Sequence, residues 1–253
     1  MRSHLAKVIV GLAVTLCWLP YGIQAGASSN RSDQPITADN AAQILAVTLR
    51  TAASEGSCSD FTSSVTAGES FGNLTNSETT EGEQFITYDG ATVDIRLLDD
   101  VLYVKANNDG VLAWYGVKDR AVATKWIEVP ESSADYTSFQ NAITLTSMLK
   151  EISPTGSLKV TPVREVNSHR VIGVLGQPNS QLGFSNGTET LYVSTSFPYV
   201  PVELIVAGVT TGSVKIFRMT FTNWGSHIEV VKPGSYTSIF NTTLSKNKHV
   251  TLR

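Results

Sequence analysis

The sequence predicts an α+β fold: a curved antiparallel β-sheet, a half-barrel, with two or more helices covering its apolar face. Three observations predict it. Short alternating apolar and polar runs recur along most of the chain, tight turns and not helical crossovers join them, and two stretches with three- and four-residue apolar spacing interrupt them.

The order of elements begins with export. Arg2 and Lys7 form a positive segment, Val8 to Leu19 an uncharged apolar one, and Pro20, Gly22 and the small residues Ala25-Gly26-Ala27 follow. The apolar stretch is about a dozen residues, shorter than the roughly 20 a membrane-crossing helix needs. Residues 1–27 are therefore expected to act as a signal segment cut after Ala25 or Ala27, with an uncleaved anchor as the alternative. Lipidation at Cys17 is disfavoured, because Leu16 stands where a small residue is needed and Trp18 follows. Residues 28–36 read as a polar linker, 37–240 as one domain and 241–253 as a polar tail whose basic residues are expected to be solvated.

Thr37 is the expected N-cap of a first helix over 38–52, with Ala41, Ile44, Leu45, Thr48, Leu49 and Ala52 on one stripe. Past Gly56 the period becomes that of strands, from about Ser57 to Ala67 and from Gln84 to Lys105. In 92–97, Val93, Ile95 and Leu97 share one face while Asp94 and Arg96 share the other. Asp99-Asp100 turns the chain, Val101 to Lys105 returns as the hairpin partner, and Asn107-Asn108-Asp109-Gly110 reads as a second turn. Such alternation means one wet and one apolar face. Lys125 to Val129 is a further strand, ended by Pro130. A second helix is expected from Ser132 or Ser133, with Tyr136, Phe139, Ile143, Met148, Leu149 and Ile152 inward and Pro154 at its end. Strands resume at 158–166, 170–175, 189–195, 201–207 and 213–222, with a polar loop over 178–187.

Composition excludes several functions. A net charge of −3 with 16% charged residues offers no basic field for nucleic acid. Once the signal is removed, roughly 225 residues remain, enough for a single β-rich core. Cys58 then stands alone, so no internal disulfide forms; a small half-buried filler is its expected role, with an intermolecular bridge or a reactive thiol as the alternatives. Sequons at Asn73, Asn186 and Asn241 matter only in a eukaryotic source.

Segments along much of the mature chain resemble the LppX/LprAFG group of actinobacterial cell-envelope lipoproteins, whose fold is similar to the lipoprotein carrier LolA. The residues that carry the resemblance are Asp94 to Lys105, Lys125 to Pro130, Leu191-Tyr192-Val193 leading to Pro201-Val202-Glu203-Leu204, and Phe221 to Gly225 leading to Ile228 to Pro233. The resemblance implies a curved sheet closed by helices around an apolar cavity that holds acyl chains. The chain departs from the group at Cys17.

Independently of that resemblance, Val93, Ile95, Leu97, Leu102, Val104, Leu191, Val193, Val202, Leu204 and Val206 would make one wide apolar face, and the helix adds Ile143 and Met148. A groove left between them is the expected binding surface for a lipid or other apolar small molecule. The bland reading of the same residues is a filled core.

Catalysis finds little footing. His4 lies in the signal and His249 in the tail, while His169 and His227 sit in expected turns. No HExxH, CxxC or Gly-x-Ser-x-Gly occurs, and Asp99-Asp100 is better read as a solvated turn than as a dyad. No cofactor or metal is expected. The expected function is non-enzymatic binding or transport of an apolar ligand outside the cytoplasmic membrane, secreted or in the cell envelope, with the membrane surface as a candidate partner. The alternatives are an envelope interaction module with a filled core, and a hydrolase whose triad assembles only in three dimensions.

Overall fold

The structure is a computed structural model. It describes residues 40–65, 68–75, 81–115, 122–131, 136, 140, 143–210 and 213–238. The expected signal segment 1–27 with Cys17, the expected linker 28–36, Thr37, Phe139 and the expected tail 241–253 lie outside the described residues.

Helix α1, Ala41–Glu55, is capped by Asn40 and not by Thr37: the Asn40 side chain accepts hydrogen bonds from the Ala42 and Gln43 N–H groups at 3.1 and 3.2 Å. That satisfies two of the donors a helix start leaves unpaired. Gly56, at φ 77°, ends the helix in the left-handed conformation that glycine adopts without strain. The expected stripe holds, with Ala41, Ile44, Leu45, Thr48 and Ala52 buried.

Strands β1 (Ser57–Val65), β2 (Gly68–Thr75), β3 (Gly82–Tyr88), β4 (Ala91–Leu98) and β5 (Val101–Ala106) form successive antiparallel neighbours. Asp99 and Asp100, at φ 50° and 60°, make the tight turn between β4 and β5. Asn107-Asn108-Asp109-Gly110 is not a turn but the start of helix α2, Asn108–Tyr115. The reason is capping: the Asn107 Oδ1 accepts from the N–H of Gly110 at 2.7 Å and of Thr92 at 3.1 Å. Gly110 lets the helix lie against β4, since a Cβ there would stand 2.4 Å from the Thr92 carbonyl oxygen.

Strand β6, Ile127–Val129, pairs with β5. The second helix is shorter than its periodicity suggests. Tyr136, Gln140 and Ile143 are helical, but Thr144 is extended (φ −95°, ψ 134°) and bridges to Thr75, and helix α3 runs only over Leu145–Glu151. The inward residues Tyr136 and Ile143 therefore lie on one side of a strand-like break at Thr144, and Met148 and Leu149 on the other.

The expected strand 158–166 is two strands, β7 (Thr155–Val160) and β8 (Arg164–Val166), both paired with β9 (His169–Gln177). The loop at 178–187 is tighter than expected: a 3-10 turn at Ser180–Leu182 buries Leu182 and Phe184 before β10 (Ser185–Ser194) begins. Strands β11 (Pro201–Thr210), β12 (Ser213–Trp224) and β13 (Thr237–Ser238) complete the sheet.

The sheet has 13 strands in the order β13-β6-β5-β4-β3-β2-β1-β12-β11-β10-β9-β7, with β8 beside β9. Every pairing is antiparallel except β13 with β6. The sheet is curved and does not close into a barrel. Its midline is the pairing of β1 with β12, which joins an N-terminal half to a C-terminal half. Helices α1 and α3 pack on each other, α1 lies on β7, β9 and β11, and α3 reaches β2, whereas α2 packs on β4 and β5.

Candidate functional site

The inner face of the sheet can be followed residue by residue along one line of paired positions. From the C-terminal half inward it reads Val174, Leu191, Leu204, Met219, and from there Ser63, Ser70, then Ile86, Val93 and Ala106. All of these side chains are buried. The two serines occupy inward positions, as alternation along β1 and β2 requires. The next line of pairs places Gln84 beside Ile95, followed by Val104 and Ile127.

The apolar interior is consequently not one surface but two. One cluster gathers Ile44, Leu45 and Ala52 of α1, Met148 and Leu149 of α3, and Leu191, Val193, Leu204 and Val206 of the C-terminal strands. The other gathers Ile95, Leu97, Leu102 and Val104 with Val111 of α2 and Ile143. All ten candidate ligand-contacting residues are buried, but they divide evenly: Ile95, Leu97, Leu102, Val104 and Ile143 in the second cluster, Met148, Leu191, Val193, Leu204 and Val206 in the first. The single wide face expected from the sequence is corrected to two apolar lobes with a polar seam between them.

The seam has its own hydrogen bonds. The Ser63 and Ser70 hydroxyl oxygens are 2.6 Å apart, and the Gln84 side-chain amide donates to Ser70 at 3.4 Å. The Gln84 Oε1 is buried without a hydrogen-bond partner among the described residues.

Four further buried polar atoms lack a hydrogen-bond partner among the described residues: Arg96 Nε on β4, which lies 3.5 Å from the Glu83 carboxylate, and three on elements that line the first lobe, Thr48 Oγ1 on α1, Glu151 Oε2 on α3 and Glu189 Oε1 on β10. Glu189 is in phase with Leu191 and Val193 on the inner face. Its other oxygen accepts the Asn179 N–H at 2.7 Å, and the Asn179 side chain donates to the carbonyls of Lys150 and Ser153, tying the end of α3 to β10. Burial pushes the Glu151 carboxyl up to about 9. Burial likewise raises Glu189 to about 8, against the lowering effect of the Asn179 N–H. Both side chains are thus neutral acids at pH 7, able to donate one hydrogen bond each.

On the outer face Glu203 is buried between two cations. Arg164 donates to it at 2.5 Å and Arg218 donates to its other oxygen. The Arg164 guanidinium also lies 3.7 Å over the Tyr192 ring.

His169 and His227 are both exposed, at the β8–β9 turn and after β12. Among the described residues no group of three His, Cys, Asp or Glu side chains could hold a metal ion. Cys58 is fully buried, donates to the carbonyls of Thr222 and Asp60, and burial pushes its thiol up to about 12, so it is a packed, unreactive thiol at neutral pH. No helix among the described residues is long and apolar enough to cross a membrane.

Sequence reasoning missed Thr48, Ser63, Ser70, Gln84, Glu151 and Glu189 as site residues. For three of them a signal was present: Gln84 occupies the phase of Ile86, Glu189 that of Leu191 and Val193, and Thr48 lies on the stripe of Ile44 and Leu45.

No family model and no curated protein matches the chain. Among solved structures it is similar to LprF from Mycobacterium bovis, at 13% identity and a TM-score of 0.49, over 77% of this chain and 97% of that one. It also matches a DUF1329 family protein from Desulfovibrio piger at 9% identity and a TM-score of 0.28, over 72% of this chain and 91% of that one.

Proposed function

We propose that the protein is a non-enzymatic binder of a lipid or other long apolar molecule, which it holds between sheet and helices and carries or presents in the cell envelope outside the cytoplasmic membrane. The observation that supports this best is the make-up of the interior: two apolar lobes of one sheet face, under separate helices, with buried polar atoms that find no hydrogen-bond partner among the described residues. A core built only for stability gains nothing from such atoms, each of which costs roughly 1–3 kcal/mol when unsatisfied. A ligand with apolar chains and a few hydrogen-bonding groups would satisfy them. Each methylene it buries contributes about 0.8 kcal/mol.

Trp224 offers a probe, because its ring packs against the first lobe while its indole N–H donates to the Pro201 carbonyl at 2.9 Å. In a full-length chain whose other tryptophans are replaced by phenylalanine, a monoacylglycerol brominated in mid-chain should quench Trp224 saturably, at about one lipid per chain, as a single enclosed site requires. Emission unchanged by added lipid would contradict the proposal.

A second reading, an envelope interaction module, is favoured by one feature. Val214 and Ile216 are 76% and 58% exposed at alternate positions of β12, an apolar pair facing outward.

A further inference from the structure

Charge is divided unequally between the two halves of the sheet. Residues 40–151, which supply β1 to β6, hold sixteen acids against seven bases, whereas residues 152–224, which supply β7 to β12, hold three acids against five bases. Two of those three acids, Glu189 and Glu203, are buried, so Glu165 alone faces water among the described residues of that half. Three of its bases stand on the outer face. Lys159 pairs with Leu175, one position out of phase with the inward Val174, and Arg218 lies between the inward Phe217 and Met219. Arg164 reaches over Tyr192 to Glu203. All three are exposed. Toward the start of β12 the same outward phase turns apolar, reading Val214, Ile216, Arg218, with the two apolar side chains 76% and 58% exposed.

We propose that this outer face docks the protein on an anionic phospholipid bilayer, with Val214 and Ile216 entering the boundary between headgroups and acyl chains and Arg218, Arg164 and Lys159 meeting the phosphates. Charge complementarity argues for that partner, since the half that carries the face is basic while the other half is acidic and is repelled by the same surface. The apolar pair argues for a bilayer over other anionic partners. A soluble polyanion would engage the cations and leave Val214 and Ile216 in water, whereas a headgroup boundary takes up both. Their spacing fits as well: Val214 lies four residues from Arg218, about 13 Å along the strand, and a long arginine side chain spans part of that distance. Glu203 keeps the arginines in place. It is buried and takes one donor set from each, and a guanidinium has five N–H donors, so those not given to Glu203 remain for phosphate oxygens. The face lies across the sheet from the helices and the apolar interior, so the inference does not rest on the lipid-binding reading above.

The test attaches a nitrobenzoxadiazole dye, whose emission reports apolar surroundings, to the full chain with Cys17→Ser; Cys58 is buried and stays unlabelled. One sample carries it at Ser213→Cys, beside Val214, and a second at Ser54→Cys on α1, across the sheet; both positions are exposed. Vesicles of phosphatidylglycerol with phosphatidylcholine are expected to shift the Ser213 dye to the blue and to leave the Ser54 dye unchanged. Raising salt from about 0.1 M to about 1 M should weaken the response, because the screening length falls from about 10 Å to about 3 Å. Arg218→Gln should raise the lipid concentration needed for half-response about fivefold, the effect of one basic residue at an anionic surface. Lys159→Gln, which leaves the partners of Glu203 in place, should do the same, and Val214→Asn with Ile216→Asn should weaken docking without altering the salt dependence. Thermal melts check that each variant is folded, and lipid quenching of Trp224 should be the same in all of them, which separates this face from the interior. A Ser213 dye that ignores the vesicles, a Ser54 dye that responds equally, or variants that dock like wild type would overturn the proposal. A Ser213 response to dextran sulfate and not to vesicles would also overturn it, in favour of a soluble polyanion.

Discussion

The hydroxyls of Ser63 and Ser70 meet at 2.6 Å in the middle of the sheet's inner face, a hydrogen-bonded pair set between apolar lobes. Neighbouring strands carry them; Ser63 has Ser70 as its partner, while Ser70 also accepts from the Gln84 amide. Removing Ser70 alone strands both the Ser63 hydroxyl and the Gln84 amide, whereas removing Ser63 as well leaves only the Gln84 amide unmet. Ser70→Ala alone should therefore destabilise the fold by about 1–2 kcal/mol and the double alanine variant by less, measured by urea unfolding. A double variant whose loss equals the sum of the two singles would mean that the hydroxyls do not depend on each other.

The two-lobe interior makes an additivity prediction. Leu204 and Ile95 are both fully buried but belong to different clusters. Leu204→Ala and Ile95→Ala should each cost about 2–5 kcal/mol. Combined, they should add to within about 0.5 kcal/mol, as distant sites without shared partners do. A larger coupling energy would show one continuous core.

Glu151 and Glu189 predict the pH dependence of stability. Their folded carboxyls are raised to about 9 and about 8 by burial, above the ordinary value of 4.5. Below that ordinary value both states are protonated and the contribution to stability is fully present. As pH rises above it the unfolded chain ionises while the folded one stays neutral, so stability is lost progressively until the folded groups themselves ionise. Thermal melts should fall between pH 5 and pH 8 for these two groups, and Glu151→Gln with Glu189→Gln should flatten that slope. An equal slope in the double variant would show that other groups set it.

Glu203 predicts a different response, because its partners are half exposed while it is buried. Glu203→Ala leaves two guanidinium groups at the surface, where water can solvate them, and should cost about 1–3 kcal/mol through lost charge-assisted hydrogen bonds. Arg218→Ala should cost under about 1 kcal/mol, since Arg164 still pairs with Glu203. Denaturant melts of the two variants check the ranking, and a larger loss for the arginine would reverse it.

How much of this was legible depended on how regular each segment's alternation is. Val93, Ile95 and Leu97 against Asp94 and Arg96 give β4 its strand and its inner face without ambiguity, and β10, β11 and β12 follow by the same rule. The centre of the sheet was hidden by the residues that make it interesting. With Ser63 and Ser70 at inward positions and Phe71 49% exposed at an outward one, β1 and β2 show no apolar period, so β2 left no trace as a separate strand. Asn107 misled because a side chain that can close a turn can equally cap a helix, and its choice depends on the Thr92 N–H, distant in sequence. The break at Thr144 is set by its pairing with Thr75, again a partner that periodicity does not reveal.

The central claim, that the interior takes up a lipid, is tested most directly by native mass spectrometry of the protein purified from its own host, followed by organic extraction of what it carries. The account predicts a near-stoichiometric lipid in the extract. A clean apo mass, with no uptake of added lipids, would contradict it.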